Sequence, residues 1–380
     1  MNARVDKGMG KMLKVGDWVE VRSKGEILAT LDENGCLDSV PFMPEMLQFC
    51  GRRFRVQKSA HKTCDYSKPG VCTRRVRDTV HLETRCDGSA HDGCQAGCML
   101  YWKSAWLKVV SARVAFVPEG GAQTSDRSCG CTEADLWART KTPNSDPAAP
   151  RYVCQTTQVP LIGEELWPWD FRQYLKDYWS GNVTLGRLIW SSVYSIYYNI
   201  SEAGIGAGRP LRWFYNKLRF LWGGSLWPRT PGVLAPGSPT PTVSLNLQPG
   251  ELVRIKSHEE ILKTVTSENL NRGMRWDAEL VPYCGGTYRV LNRVSRLIHE
   301  QTGKMTEMKT PCITLDSVVC QGRYTFGRMM CPKAMYPYWR EIWLERVNAT
   351  ASDTDTEATS KSVREPGVPS EPVSIPGTRG

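Results

Sequence analysis

Cysteine and histidine crowd into one stretch of this 380-residue chain: His61-x-x-Cys64, Cys72, His81, Cys86, His91-x-x-Cys94 and Cys98. Around the last of them the chain is Gly-rich and polar, Cys86-Asp-Gly-Ser-Ala-His-Asp-Gly-Cys-Gln-Ala-Gly-Cys98. Small residues beside ligands let several thiolates converge on one ion without side-chain clashes. Thiolate is a soft, strong ligand for zinc and for iron–sulfur clusters, and four is the usual complement. The best set of four is Cys64, Cys86, Cys94 and Cys98, with Cys72, His61 and His91 as additional ligands. The alternative is a group of buried thiols without an ion.

A second group lies far along the chain. Cys312, Cys320 and Cys331 form a three-cysteine set, with His299 as a fourth ligand. Cys129-Gly-Cys131 is a further close pair that could exchange thiols or bind metal with Cys154. Glu45 and Glu279 recur in a Pro/apolar setting, where either could act as acid or base or simply cap and bridge a barrel. No Walker loop, nucleophile elbow or His-Glu-x-x-His helix is present, so no catalytic residue is assigned. Gly204-Ile-Gly-Ala-Gly reads as a turn between helices rather than a dinucleotide fingerprint. The N-terminus alternates charged and small residues without an apolar core, which is unlike a secretory signal and suggests a reducing cytoplasm. There, 14 cysteines point to metal or thiol chemistry more than to disulfides.

The scaffold is organised by a repeat. Gly16-Asp-Trp-Val-Glu-Val-Arg-Ser-Lys-Gly-Glu-Ile-Leu-Ala-Thr is echoed by Gly250-Glu-Leu-Val-Arg-Ile-Lys-Ser-His-Glu-Glu-Ile-Leu-Lys-Thr, an offset of 234 positions. The same offset pairs Glu45 with Glu279, Cys50-Gly51 with Cys284-Gly285, and Cys86 with Cys320. Beyond it the offset becomes 237, pairing Tyr101-Trp102 with Tyr338-Trp339 and Trp106 with Trp343. A tandem duplication follows. Alternation at Val19/Val21, Val253/Ile255, Arg53-Phe-Arg-Val and Thr287-Tyr-Arg-Val predicts half-buried strands in each copy.

The Gly-Asp-x-Val-x-Val opening with a later Cys-Gly-x-x-Phe-x-Val strand resembles small barrels of the Src-homology-3 or KOW type over about 45 residues of each copy. That resemblance implies a fold more than a function. The wider pattern, Val-Pro-Phe-Met-Pro-Glu-Met, then Cys-Gly, then His-Lys-Thr-Cys-Asp, resembles a widespread bacterial Cys-rich family with two repeated modules and no assigned function. It implies a bacterial origin and no mechanism.

Between the copies, Leu185, Leu188, Ile189, Val193, Ile196 and Ile200 recur at helical spacing, and a second stripe follows Arg209-Pro210 with Leu211, Phe214, Leu218 and Leu221. Packed inward, these stripes brace the two modules. Trp190, Trp213 and Trp222 beside Arg187, Arg209, Arg212, Lys217 and Arg219 also suit an anionic membrane surface through 185–222, at the inner face of the membrane.

The expected class is α+β, a tandem duplication of a small β-barrel-like Cys-rich module joined by an aromatic-rich helical segment. The boundaries are 12–110 for the first module, 111–160 for a loop-rich connector, 161–227 for the helical segment, 228–246 for a Pro/Gly linker, 247–348 for the second module and 349–380 for a disordered tail. Composition excludes collagen and coiled coils, and no apolar run approaches the roughly 20 residues of a spanning helix.

The functional expectation is a cytoplasmic metal-binding protein, with thiolate zinc or an iron–sulfur cluster, acting as an accessory, binding or redox component with a protein partner. The alternatives are a metalloenzyme, a peripheral membrane protein, or a nucleic-acid binder. The last draws on the net charge of +10 and on Arg52-Arg53-Phe-Arg and Arg74-Arg75-Val-Arg.

Overall fold

A computed structural model provides the structure, which describes residues 12–66, 73–111, 131–143, 145–203, 205–222, 225–324 and 327–347. Cys72, Cys129, the 349–380 tail and the Trp222 side chain, all named above, lie outside the described residues. Helices and strands are both present, and the described residues to Arg346 belong to one compact unit.

The first half is built on an antiparallel five-stranded sheet. Its order is Met99–Lys103, Thr79–Arg85, Arg53–Ser59, Trp18–Val21, Leu107–Val109. Alternation does the local work: Val19 and Val21 are buried while Trp18 is exposed. A short helix, Lys24–Leu28, follows because Ser23 caps it and Glu26 reaches back to the Ser23 backbone, a reciprocal capping box. Next come a two-residue hairpin, Cys36–Leu37 with Val40–Pro41, and a 3-10 helix, Pro44–Phe49.

The second half runs in the same order: strand Leu252–Ile255, capped helix His258–Leu262, hairpin Leu270–Asn271 with Met274–Arg275, and 3-10 helix Ala278–Tyr283. Its four-stranded sheet is ordered Met305–Leu315, Thr287–Ile298, Leu252–Ile255, Leu344–Arg346. Registers agree between halves: Val19 faces Phe54 and Val109, and Val253 faces Tyr288 and Arg346. In both, a fully buried indole N–H donates to a threonine hydroxyl, Trp106 to Thr30 at 3.0 Å and Trp343 to Thr264 at 2.9 Å. Each core therefore satisfies the one polar atom of this indole, while the Trp276 and Trp339 N–H groups of the second core have no hydrogen-bond partner among the described residues.

A small third sheet, Glu164–Leu166, Thr73–Arg75, Lys62–Cys64, joins the connector to the first half. Three helices follow, Arg172–Trp179, Leu185–Glu202 and Gly208–Lys217. The 228–246 segment lies along the second half, with Val233 N–H donating to Leu262 and Leu234 N–H to Val265.

The long middle helix packs opposite to the sequence expectation. Its buried side carries Tyr194, Ser191 and Ser201, while Leu185, Ile189, Val193, Ile196 and Ile200 are exposed. The reason is aromatic: Tyr194 and Tyr198 stack on the buried Trp227, and Tyr215 and Tyr324 meet this group edge-on. Such a cluster buries more area per residue than the aliphatic stripe. Close approach is needed too, since a Cβ on Gly208 would lie 2.5 Å from the Ser201 carbonyl oxygen.

Lys62 is fully buried and ties three regions together. Its ammonium donates to Asp177 Oδ2 at 2.6 Å and to the Met329 carbonyl at 2.8 Å. Replacing Asp177 with Ala strands a buried cation, which costs about 3–5 kcal/mol. Urea unfolding of Asp177→Ala should show a loss of that order; a loss below about 1 kcal/mol would mean that the Lys62 ammonium reaches water there.

Candidate metal centre

The structure divides the cysteines differently from their order in sequence. Among the described residues, Glu45, Cys86 and His91 place three ligand atoms within 4.8 Å of one another. Cys86 Sγ donates to Glu45 Oε1 at 3.1 Å, and His91 Nδ1 lies 3.2 Å from the same oxygen. Tetrahedral zinc, with bonds of 2.0–2.3 Å, sets its ligand atoms about 3.3–3.7 Å apart, so small movements would admit an ion.

Local sequence explains how each ligand is held. Glu45 sits in the first turn of the 3-10 helix Pro44–Phe49, entered through proline. Cys86 follows the strand Thr79–Arg85, and its N–H donates to the Cys98 carbonyl at 2.8 Å. His91 rides on a tight loop closed on Gly88, whose carbonyl accepts from the His91 and Gly93 N–H groups at 3.0 Å each. Gly88 has φ +74, and a Cβ there would lie 2.0 Å from the Cys94 carbonyl oxygen. Only glycine fits that position.

Electrostatics define the group further. The His91 Nε2 lies 3.0 Å from the Val153 carbonyl, an acceptor, so Nε2 carries a proton and Nδ1 is left to face Glu45. Burial works to lower the His91 imidazole, but the hydrogen bond and charge of Glu45 outweigh it and raise it. Burial first, and then the same carboxylate, push the Cys86 thiol far up. Glu45 Oε2 is buried with no hydrogen-bond partner. A buried carboxylate oxygen left unpaired is costly, and a cation would satisfy it.

The other expected ligands go elsewhere. Cys64 lies beside Cys331, whose Sγ accepts from the Cys64 backbone N–H at 3.2 Å. Burial opposes ionisation of Cys331, but the Cys64 thiol, the Lys333 backbone and the Lys333 charge prevail and bring it down to about 7. Cys64, hydrogen-bonded to Cys331, is pushed well above the usual thiol range. Cys94 Sγ accepts from the Ile298 N–H at 3.4 Å. Cys312 lies 3.5 Å from both Met274 Sδ and Arg340 Nη1, apart from Cys331. Cys320, raised by burial and by Glu279, has its N–H on the Met335 carbonyl. Neither tetrathiolate 64/86/94/98 nor the 312/320/331 set with His299 forms a close group among the described residues.

His61 is held between Ser59 and Asp177, with Nε2 3.3 Å from the Asp177 carboxylate, and His299 Nδ1 lies 3.3 Å from Thr302 Oγ1. A cavity of about 310 Å³ adjoins the triad; Cys86, His91, Cys94, Cys98, Cys154 and His299 all contribute to its wall. Sequence reasoning singled out Glu45 only as a recurring carboxylate, and placed Cys154 with Cys131. Cys131 instead lies near Cys36, and Cys154 near Cys98.

In the basic runs, Arg53 is matched by Glu20, Arg74 by Asp65, Arg75 by Asp170 and Arg77 by Glu164, while Arg52 lies over the Phe49 and Phe54 rings. No helix among the described residues is long and apolar enough to cross a membrane. No family model, curated protein or solved structure matches the chain.

Three buried histidines give the fold a pH dependence. Burial, aided by the Lys62 charge, pushes His61 down to about 3, and burial pushes His81 and His258 down to about 4. The unfolded chain takes up these protons near the ordinary value of 6.5, whereas the folded chain does not until pH 3–4. Stability therefore falls as pH drops from about 6.5 toward 4, by up to about 1.4 kcal/mol per pH unit for each group. Urea titrations across that range should show the slope, and His61→Gln should flatten it by about one group's share.

Proposed function

We propose that this protein binds a zinc ion through Glu45, Cys86 and His91, with a fourth position left for water or a ligand. The observation that carries this is the buried, unpaired Glu45 Oε2 within a close Glu/Cys/His group. Three protein ligands plus an open position is the arrangement of zinc sites that polarise or activate a bound molecule, whereas structural sites are closed by four. The adjoining cavity gives such a molecule room. One thiolate among three ligands suits zinc better than an iron–sulfur cluster, which takes mostly thiolates. The metal would supply Lewis acidity; Val153 fixes the imidazole tautomer that presents Nδ1.

The scaffold, in the same proposal, is a duplicated module related to small Src-homology-3-like barrels. The equal element order, the matching registers and the Trp–Thr bonds at equivalent positions support it. The halves differ where the chemistry would be. Glu279, opposite Glu45 in the repeat, accepts the Arg323 and Tyr324 N–H groups at 2.7 and 2.6 Å. Its carboxylate is used for backbone capping, so one ion per chain is expected.

Equilibrium dialysis followed by metal analysis tests this. The wild-type chain should retain one zinc, and Cys86→Ala or Glu45→Gln should lose it while Cys312→Ala keeps it. Retention by both ligand variants would refute the site. Gly88→Ala should weaken zinc binding by about tenfold or more through displacement of the His91 loop, because a Cβ cannot be accommodated there.

A further inference from the structure

The middle helices carry an apolar face that nothing among the described residues covers. On the 18-residue helix Leu185–Glu202, Leu185, Ile189, Val193, Ile196 and Ile200 form one row, each between 45% and 62% exposed. The row is unbroken over four turns, about 22 Å at 1.5 Å per residue. Soluble monomers rarely leave so continuous a stripe in water, and singly scattered apolar residues would need no explanation. Indoles continue the surface: Trp190 is 49%, Trp213 61% and Trp179 60% exposed.

The charge along these helices is mostly basic, although Arg219 is paired with Glu259 at 2.8 Å. Between Tyr178 and Trp222 the basic residues are Arg187, Arg209, Arg212, Lys217 and Arg219, and the single acid is Glu202. On the helix Gly208–Lys217 the exposed Arg209, Trp213 and Lys217 fall four residues apart, so a ring stands between two cations in one row. The Lys217 ammonium lies 5.8 Å from the Trp213 ring centroid, and Phe214 is exposed on the next row. Indole and cation side by side suit the headgroup layer of a bilayer, where the ring meets the acyl boundary and the charge meets phosphate.

We infer that this surface binds an anionic lipid bilayer, with the helix Leu185–Glu202 lying in the plane of the interface and its aliphatic row in the acyl boundary. The charge pattern selects the occupant. A second copy of this chain would bring a like-charged face against it, whereas phosphate headgroups complement it. An in-plane helix also agrees with length and hydropathy, since no helix among the described residues is long and apolar enough to span. Turning Tyr194 and Trp227 inward is what frees the aliphatic row for this use.

Flotation of the full-length protein with vesicles tests the inference. Vesicles of phosphatidylcholine with phosphatidylglycerol should carry the protein upward, and phosphatidylcholine alone should carry much less. Binding should fade at about 0.5 M NaCl, where the screening length is only a few ångströms. Ile196→Asp should cut partitioning about tenfold, the ratio expected from withdrawing one aliphatic side chain from the boundary. Arg209→Glu with Lys217→Glu should do the same without touching the core, and an unchanged thermal midpoint will separate lost binding from misfolding. No flotation, or equal flotation with both vesicle types, would overturn the inference. So would a dimer in sedimentation velocity that Ile196→Asp converts to monomer, since a second copy would then be the occupant.

Discussion

One buried ammonium joins three regions that the chain order keeps far apart. Lys62 belongs to the first half, Asp177 to the middle helices and Met329 to the second half, and the Nζ of Lys62 bonds to the latter two. A charge fully out of water must be met by hydrogen bonds in a fixed geometry, because the Coulombic gain only offsets desolvation when the partners are exact. The strand Lys62–Cys64 is thereby fixed as a seam. The adjacent residue pair, Cys64 and Cys331, crosses the same seam through a backbone N–H and a sulfur. Nearby, Lys333 meets Glu300 at 3.2 Å, a second buried cation with its acid. Relative placement of the halves thus depends on polar contacts with strict geometry, while each half keeps an apolar core of its own.

Legibility in the sequence followed the range of the interactions. Strands at Trp18–Val21 and Leu252–Ile255, and the helices from Leu185 and Gly208, were readable because alternation and 3.6-residue spacing are local. Periodicity gives a stripe but no direction, so the side of the long helix that turns inward was hidden. Tyr194 is placed by Trp227 and Tyr324, residues that no window around the helix includes. Cysteine spacing meets the same limit. Cys86 and Cys98 are joined by a backbone bond, which settles where the chain turns but not where the sulfurs point. The partner of Cys86 is Glu45, 41 positions earlier. The one available signal was that Glu45 and Cys86 both recur at the repeat offset, as Glu279 and Cys320.

That recurrence makes the two halves a comparison within one molecule. Glu45 and Glu279 both enter through 3-10 helices and are both buried, yet they face different partners. Glu279 takes two backbone N–H groups, one on each carboxylate oxygen, and so is fully served by the fold. Glu45 takes a thiol on one oxygen and has no partner on the other. Burial of an unserved carboxylate oxygen is destabilising by about 1–3 kcal/mol, so a fold able to satisfy it with two amides, as its other half does, is not short of means. The unsatisfied oxygen and the His91 nitrogen turned toward the same carboxylate belong to the first half, whereas the tight glycine turn occurs in both, since a Cβ on Gly322 would lie 2.7 Å from the Arg328 carbonyl oxygen. The contrast therefore rests on the carboxylates alone: one oxygen of Glu45 lacks a partner where both oxygens of Glu279 have one, and that difference is what supports reading the first-half group as a place for a cation.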